Sequence, residues 1–276
     1  MELPNQVPSI PGALIRFTEN VPTKLSDSVR VGVGVEAKPG MLLLTMPRIG
    51  RFVALQGQSV DVQLRSGAEP ELVRLILAGT MRAALIHQRG ELALEATAVV
   101  APSGACVALC GHSGLGKSTL AAALVRLGWK LLSDGVVRVT YEGGVARAWP
   151  GDGTMKLWRN ACDLLGISTT GCRLVRKQIE KFYVPMPGVE TPEALTAVIR
   201  LSPEAACRLV SVDGDNRLLL LSDSTYRVAQ VEALGMTNSC LRTAQGVAKQ
   251  TTISILEGAR KCDVSELAAS IGKAVA

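Results

Sequence analysis

The sequence predicts an α/β fold with a small β-rich lobe at its N-terminal end, on three observations. The apolar run Val107-Ala108-Leu109-Cys110, a glycine-rich turn and an alanine–leucine run from Lys117 follow one another without a gap, as a strand, a loop and a helix do. Further apolar strands recur after them, at Trp129–Ser133, Ala197–Leu201, Arg217–Leu221 and Thr252–Leu256, with helical or turn patterns between. Before them, residues 1 to 66 hold only short alternating runs. The expected division is therefore a β-rich lobe over 1–66 and an α/β domain over 67–276.

Taken in order, the lobe reads as strands at Val31–Val35, Met41–Leu44 and Val60–Leu64, with a turn at Lys38-Pro39-Gly40. No cluster there announces chemistry, so a packing platform is preferred to a partner-recognition surface. Pro70 to His87 repeats its apolar residues at helical spacing, with Pro70 suited to the first turn. His87 falls at the end of that helix, where an imidazole meets the dipole, and is assigned a capping or surface role. Leu92–Val99 is a strand that turns at Pro102-Ser103-Gly104 into the strand at Val107. Glu95 stands out within it, a carboxylate among apolar residues. It either faces solvent or serves a site, because a buried charge needs a partner.

Gly111, Gly116, Lys117 and Ser118 satisfy G-x-x-x-x-G-K-[ST], the P-loop spacing. Glycines let successive backbone N–H groups turn inward around an anion, and the helix N-terminus adds partial positive charge. Gly111, His112, Ser113, Gly114, Leu115, Gly116, Lys117, Ser118 and Thr119 are thus the candidate nucleotide-binding residues. Lys117 can reach the outer phosphates of ATP and Ser118 can ligate Mg²⁺. The helix is expected to end at Gly128. The strand after it carries Asp134 to its C-terminal end, where ligands bind in open α/β sheets. Asp134-Gly135 is also a common turn pair, and the two readings are compatible.

This stretch resembles a known family. Gly111–Ser118 followed by Leu127-Gly128-Trp129-Lys130-Leu131-Leu132-Ser133-Asp134 is similar to the catalytic domain of HPr kinase/phosphorylase. It is more similar still to HPr-kinase-related proteins found beside peptide-modification genes, among them kinases that phosphorylate a serine of lasso-peptide precursors. Pro70–Arg74, Leu85–Gly90 and Lys156-Leu157-Trp158 agree with that pattern, and the resemblance is strongest over about residues 67 to 185. It implies a P-loop core of HPr-kinase type, and Asp134 as the general base for an acceptor hydroxyl. The family carries two adjacent aspartates where this chain has Asp134-Gly135, and a histidine where it has Glu95. Glu95 is accordingly expected to replace the lost carboxylate, as Mg²⁺ ligand or as a partner that tunes Asp134, two close carboxylates raising one of the two pKa values. HPr-kinase-like assemblies also imply a homo-oligomer.

Beyond Asp134, a hairpin is expected around Glu142-Gly143-Gly144, a loop at Pro150–Gly153 and a short helix over Leu157–Leu165. Arg173–Lys181 is the densest basic patch; Arg176 and Lys177 are its candidates for meeting the transferring phosphoryl group. The alternative is a solvated helix with Lys177 and Lys181 in i,i+4 register. Val228–Val247 reads as a helix, and Asp263 with Glu266 as the capping box of a last one.

Composition narrows the partners. Lys and Arg number 30 against 24 Asp and Glu, a net charge of +6 with no basic run and few aromatics. That disfavours nucleic acid as a partner. The apolar reach from Leu92 to Cys110 is broken by Glu95 and the Pro102 turn, so no membrane span is expected. Met1-Glu2-Leu3-Pro4 lacks the apolar core of a signal peptide. Seven cysteines with no C-x-x-C pair suit a reducing cytoplasm. Cys207, Cys240 and Cys262 are expected to be unpaired core or surface thiols. The expectation is a cytoplasmic, ATP·Mg²⁺-dependent kinase acting on a hydroxyl, a serine of a peptide or small protein. The alternatives are a catalytically inactive nucleotide sensor or scaffold, and a small-molecule kinase.

Overall fold

The computed structural model describes residues 10, 12–204, 207–259 and 262–275; the Met1–Pro4 stretch lies outside the described residues. The chain is mixed α/β and forms two compact units. The first runs through Ala93 and takes back Arg227–Arg242; the second runs Leu94–Tyr226 and resumes at Thr243. The division falls after Ala93 rather than at residue 66, because the helical segment after Pro70 packs on the β-rich sheet. Its Val73, Leu77, Met81, Ala84 and Leu85 share one buried cluster with Leu42, Phe52, Val60 and Val62.

In the first unit six strands make one sheet: β1 (Leu14–Phe17), β2 (Val29–Gly32), β3 (Val35–Lys38), β4 (Met41–Met46), β5 (Gly50–Leu55) and β6 (Ser59–Leu64). Their order is β1-β6-β5-β4-β3-β2, with β1 parallel to β6 and the other pairs antiparallel. The run Val31–Val35 is two strands, not one. Gly34, at φ 68°, turns the chain between them, and a side chain there would run into the Thr45 carbonyl. The segment after Pro70 is helical as expected, in three pieces: α1 (Pro70–Ile76), a π-turn over Leu77–Met81 and α2 (Arg82–Gln88). His87 is fully buried, so the surface role is corrected, while its place in the last turn of the helix is as expected. The position next to the helix end is also a core position, beneath Cys240, whose Sγ lies 3.9 Å from the His87 carbonyl.

The second unit begins with β7 (Leu92–Val100), which turns into β8 (Cys106–Cys110), and then α3 (Lys117–Arg126). Gly128, at φ 92°, closes that helix as expected. β9 (Lys130–Glu142) and β10 (Val145–Ala148) form the hairpin at Gly143-Gly144. β11 (Thr154–Trp158) leads to α4 (Arg159–Leu164), then to the hairpin of β12 (Arg173–Arg176) and β13 (Ile179–Pro185). β14 (Glu193–Leu201), β15 (Leu209–Ser211), α5 (Asn216–Asp223), α6 (Ala229–Ala233, in the first unit), α7 (Thr237–Gln250), β16 (Thr252–Leu256) and α8 (Val264–Val275) complete the chain.

The main sheet of this unit has the order β10-β9-β7-β8-β14-β16-β15. β8, β14 and β16 are parallel, as strand–helix crossovers require. β10 also pairs with β14 through Arg147–Ala194 and Ala148–Glu193, so that end of the sheet closes on itself. β11, β13 and β12 form a small antiparallel sheet. The core between α3 and the sheet is apolar: Leu109, Leu120, Leu124, Leu131, Leu157 and Ile199 are almost wholly buried.

Four expectations are corrected. Arg217–Leu221 belongs to helix α5, not to a strand; Leu220 and Leu221 are buried while Leu219 is 62% exposed, so only one face is covered. The helix foreseen at Leu157 starts two residues later, because Lys156–Trp158 pair with β13. The segment Val228–Val247 breaks at Gly235 into α6 and α7. Cys207 and Cys262 are paired as a disulfide, Cα–Cα 6.1 Å. Cys240 is buried as expected. The Cys106 and Cys110 thiols are pushed up to about 12, chiefly by burial, which leaves them inert. Asp263 accepts the Ser265 N–H at 2.8 Å and caps α8. Among the described residues no helix is long and apolar enough to cross a membrane.

Candidate functional site

The second unit gathers the predicted residues at the end of β8. Apolar Cys106–Cys110 are wholly buried as a central strand, and the chain leaves them through Gly111 at φ 132°. Gly114 and Gly116 follow at φ 86° and 87°, conformations that L side chains rarely adopt. A side chain on Gly111 would press within 3.1 Å of the Leu201 carbonyl. His112, Ser113 and Gly114 are exposed, Leu115 plugs into the core, and Lys117, Ser118 and Thr119 open the ten-residue helix α3. Lys117 folds back over the loop: its ammonium donates to the Gly111 carbonyl and, at 3.2 Å, to that of His112.

Glu95 arrives by register. On the paired strands Ala96 stands opposite Cys110, which places Glu95 beside the start of the loop. Its carboxylate lies 3.4 Å from Lys117 Nζ and is 39% exposed. Two residues on, the Thr97 hydroxyl donates to Asp134 Oδ1 at 2.7 Å. Glu95 is thus neither a surface decoration nor an unpaired buried charge.

Asp134 is not at a strand end. Lys130–Glu142 is one strand of 13 residues. Gly135, at φ 97°, supplies a conformation that favours glycine while the strand runs on through it without a turn. The Asp134 side chain is 2% exposed and each oxygen has two donors. Thr97 and Ser118 hydroxyls donate to Oδ1, the latter at 2.9 Å; the Lys156 backbone N–H donates to Oδ2 at 3.0 Å and the Lys156 ammonium sits 3.3 Å from it. Burial alone would raise this carboxyl. The Lys156 charge, its backbone N–H and the two hydroxyls outweigh burial and hold Asp134 below the ordinary aspartate value. The charge paired with Asp134 is that of a lysine, not of a second carboxylate.

A folded-state pKa below the unfolded one stabilises the fold at any pH above the unfolded value of about 3.9 and is lost as pH falls through the folded value. In urea unfolding, the stability gap between wild type and Asp134→Asn should stay level from about pH 8 to 5 and narrow below about pH 4. A gap that widened as pH fell from neutrality toward about 4 would mean that Asp134 is raised, not lowered.

The basic patch is a hairpin, not a helix, so Lys177 and Lys181 share no helical register. Arg176 and Lys177 lie exposed at its turn. The lysine of that hairpin that feels Asp134 is Lys181, across from Trp158 on β11, with its ammonium 5.3 Å from the Trp158 ring. Burial pushes the Lys181 pKa down; Asp134 opposes this, and the charges of Lys156 and Lys117 add to it. Sequence reasoning missed Thr97 and Lys156 as site residues, and held Lys181 only as part of the basic patch, with Arg176 and Lys177 put ahead of it. Lys156 carried a signal, as part of Lys156-Leu157-Trp158, but nothing local tied it to Asp134, 22 residues away.

The loop fits a polyphosphate: it combines three glycines at positive φ, a helix N-terminus and a lysine. The Ser118–Asp134 pair fits Mg²⁺, which is bound through one or two carboxylates with waters and phosphate oxygens rather than by a protein cage. Among the described residues no three His, Cys, Asp or Glu side chains form such a cage. Beside Gly116 and Thr119 a cavity of about 260 Å³ opens, walled by Leu120, Leu164, Leu201 and Val264.

No protein-family model matches the chain, and no curated protein does. Among solved structures it is similar to one described as the Hpr(Ser) kinase/phosphatase from Coxiella burnetii, with 12% sequence identity and a TM-score of 0.36 over 66% of this chain and 95% of that one.

Proposed function

We propose that the second unit is an ATP-dependent phosphotransferase that passes the γ-phosphoryl group to a hydroxyl. The observation that carries this reading is the Ser118–Asp134 hydrogen bond of 2.9 Å at the foot of a glycine loop with its own lysine. A turn that only linked β8 to α3 would have no use for a buried carboxylate on the first hydroxyl of the helix. The backbone N–H groups of Gly111–Thr119 and the Lys117 ammonium bind the phosphates, and the cavity beside Gly116 takes the apolar face of the base. Mg²⁺, when bound, would be held by the Ser118 hydroxyl with Asp134 orienting it, and would supply charge neutralisation at the outer phosphates.

With its oxygens taken by four donors, Asp134 is a poor proton acceptor, and the base role passes to Glu95. A triphosphate on the loop draws the Lys117 ammonium away from Glu95 and frees that carboxylate at the mouth of the site. The acceptor oxygen then bonds to the γ-phosphorus, its proton goes to Glu95, and the bond to the β,γ-bridging oxygen breaks with its electron pair leaving on the diphosphate. The acceptor is a serine of a peptide or small protein. This rests on the sequence resemblance over about residues 67 to 185, which also raises a lasso-peptide-like precursor as acceptor. Cytoplasmic location and homo-oligomer formation are part of the same proposal.

A second reading is favoured by the Lys156–Asp134 ion pair: a nucleotide sensor that transfers nothing. Labelled γ-phosphate separates the two. The wild type should label a serine peptide, and Glu95→Gln should lower that rate about 100-fold or more while binding ATP within about threefold of wild type. Undiminished labelling by Glu95→Gln would remove Glu95 from the chemistry. ATP binding without labelling of any peptide or small alcohol would leave the sensor.

A further inference from the structure

Three lysines and two carboxylates share this part of the unit: Lys117 pairs with Glu95, Lys156 pairs with Asp134, and Lys181 feels the charges of Asp134, Lys156 and Lys117. Lys117 comes from the loop, Lys156 from β11 and Lys181 from β13. Lys156 Nζ occupies space that a side chain at position 135 would need. A Cβ on Gly135 would stand 2.7 Å from it, and Nζ also lies 3.2 Å from the Asp134 carbonyl. Gly135 and Lys156 are therefore one device, a missing side chain and the cation that fills its place. Lys156 and Lys181 project from the same face of the small sheet, since Lys156 pairs with Tyr183 and Trp158 with Lys181 on adjacent antiparallel strands. The Lys156 ammonium and the Ser118 hydroxyl flank one carboxylate, so the lysine stands next to the place that the loop assigns to the outer phosphates. Charges of like sign gathered in a half-buried place repel one another, and an anion among them relieves that repulsion.

We propose that Lys156 and Lys181 are ligands of the terminal phosphate of the nucleotide, a built-in cation seat that lets this site hold a triphosphate with little help from Mg²⁺. The proposal rests on reading the loop Gly111–Thr119 as the nucleotide site. It requires the two lysines to discriminate by phosphate number: a diphosphate ends before reaching them, a triphosphate does not.

The test is titration of the intact protein with ATP and with ADP, each in Mg²⁺ and in EDTA. Wild type should bind ATP in EDTA within about tenfold of its affinity in Mg²⁺. Lys156→Met and Lys181→Met should each weaken ATP in EDTA by about tenfold or more and ADP by less than about twofold, and Lys156→Arg should retain ATP binding. Lys181→Met keeps the test open if Lys156→Met leaves Asp134 too poorly partnered to fold. Equal losses for ATP and ADP, or no loss in either variant, would overturn the proposal and leave the loop reading intact, provided Lys117→Ala weakens both nucleotides. Wild-type protein that bound neither nucleotide, with or without Mg²⁺, would overturn the loop reading and this proposal together.

Discussion

Asp134→Ala should destabilise the second unit by about 3 kcal/mol, the lower end of what removal of one partner from a buried ion pair costs. The carboxylate is 2% exposed and the Lys156 side chain 25% exposed, so the ammonium left behind is only partly rescued by water. The Thr97 and Ser118 hydroxyls lose their acceptor in the same substitution. Urea unfolding monitored by circular dichroism measures the loss. The double variant Asp134→Ala/Lys156→Met should recover much of it, because it removes both charges and leaves an apolar chain in the same space. A double variant no more stable than the single one would show that the Lys156 charge is not what Asp134 compensates. Recovery of stability is not expected to bring back phosphoryl transfer, since Ser118 would still lack the carboxylate that orients it.

Lys117→Ala should have the largest functional effect, a fall of about 1000-fold in transfer to any acceptor, with the thermal unfolding midpoint almost unchanged. The lysine spends its three protons on two loop carbonyls and the partly exposed Glu95, so the fold depends on it little. On the proposed reading the phosphates would depend on it heavily, because charge neutralisation supplies most of the catalysis in phosphoryl transfer. A variant that lost stability in step with activity would instead mark Lys117 as a structural residue.

The loop was legible in the sequence because everything that defines it is local. Glycines at fixed offsets, a lysine and a hydroxyl all lie within nine residues, and their conformation follows from their identities. Glu95 was legible as an oddity, a charge in an apolar strand, and the β7–β8 register explains it. Elements with weaker periodicity were not resolved. Leu218–Leu221 is a continuous apolar run whose period cannot separate strand from helix, and it became α5. The basic stretch Arg173–Lys181 carries charges spaced for a helix, yet Val175, Phe182 and Val184 are buried strand residues and the chain folds into a hairpin. Pairings across long separations left no trace at all. Lys156 reaches Asp134 from a different sheet, and Cys207 finds Cys262 over a separation of 55 residues. Asp134 illustrates the same limit: its position was identified, but its environment is set by Thr97, Ser118 and Lys156, three residues from three other elements.

The most direct measurement is equilibrium titration of the intact protein with ATP in Mg²⁺, alongside Lys117→Ala. A loop that holds a triphosphate gives saturable one-site binding in the micromolar range, weakened about 100-fold by the substitution. No saturation up to millimolar ATP, or equal affinity in the two proteins, would contradict the assignment of Gly111–Thr119 as a nucleotide site.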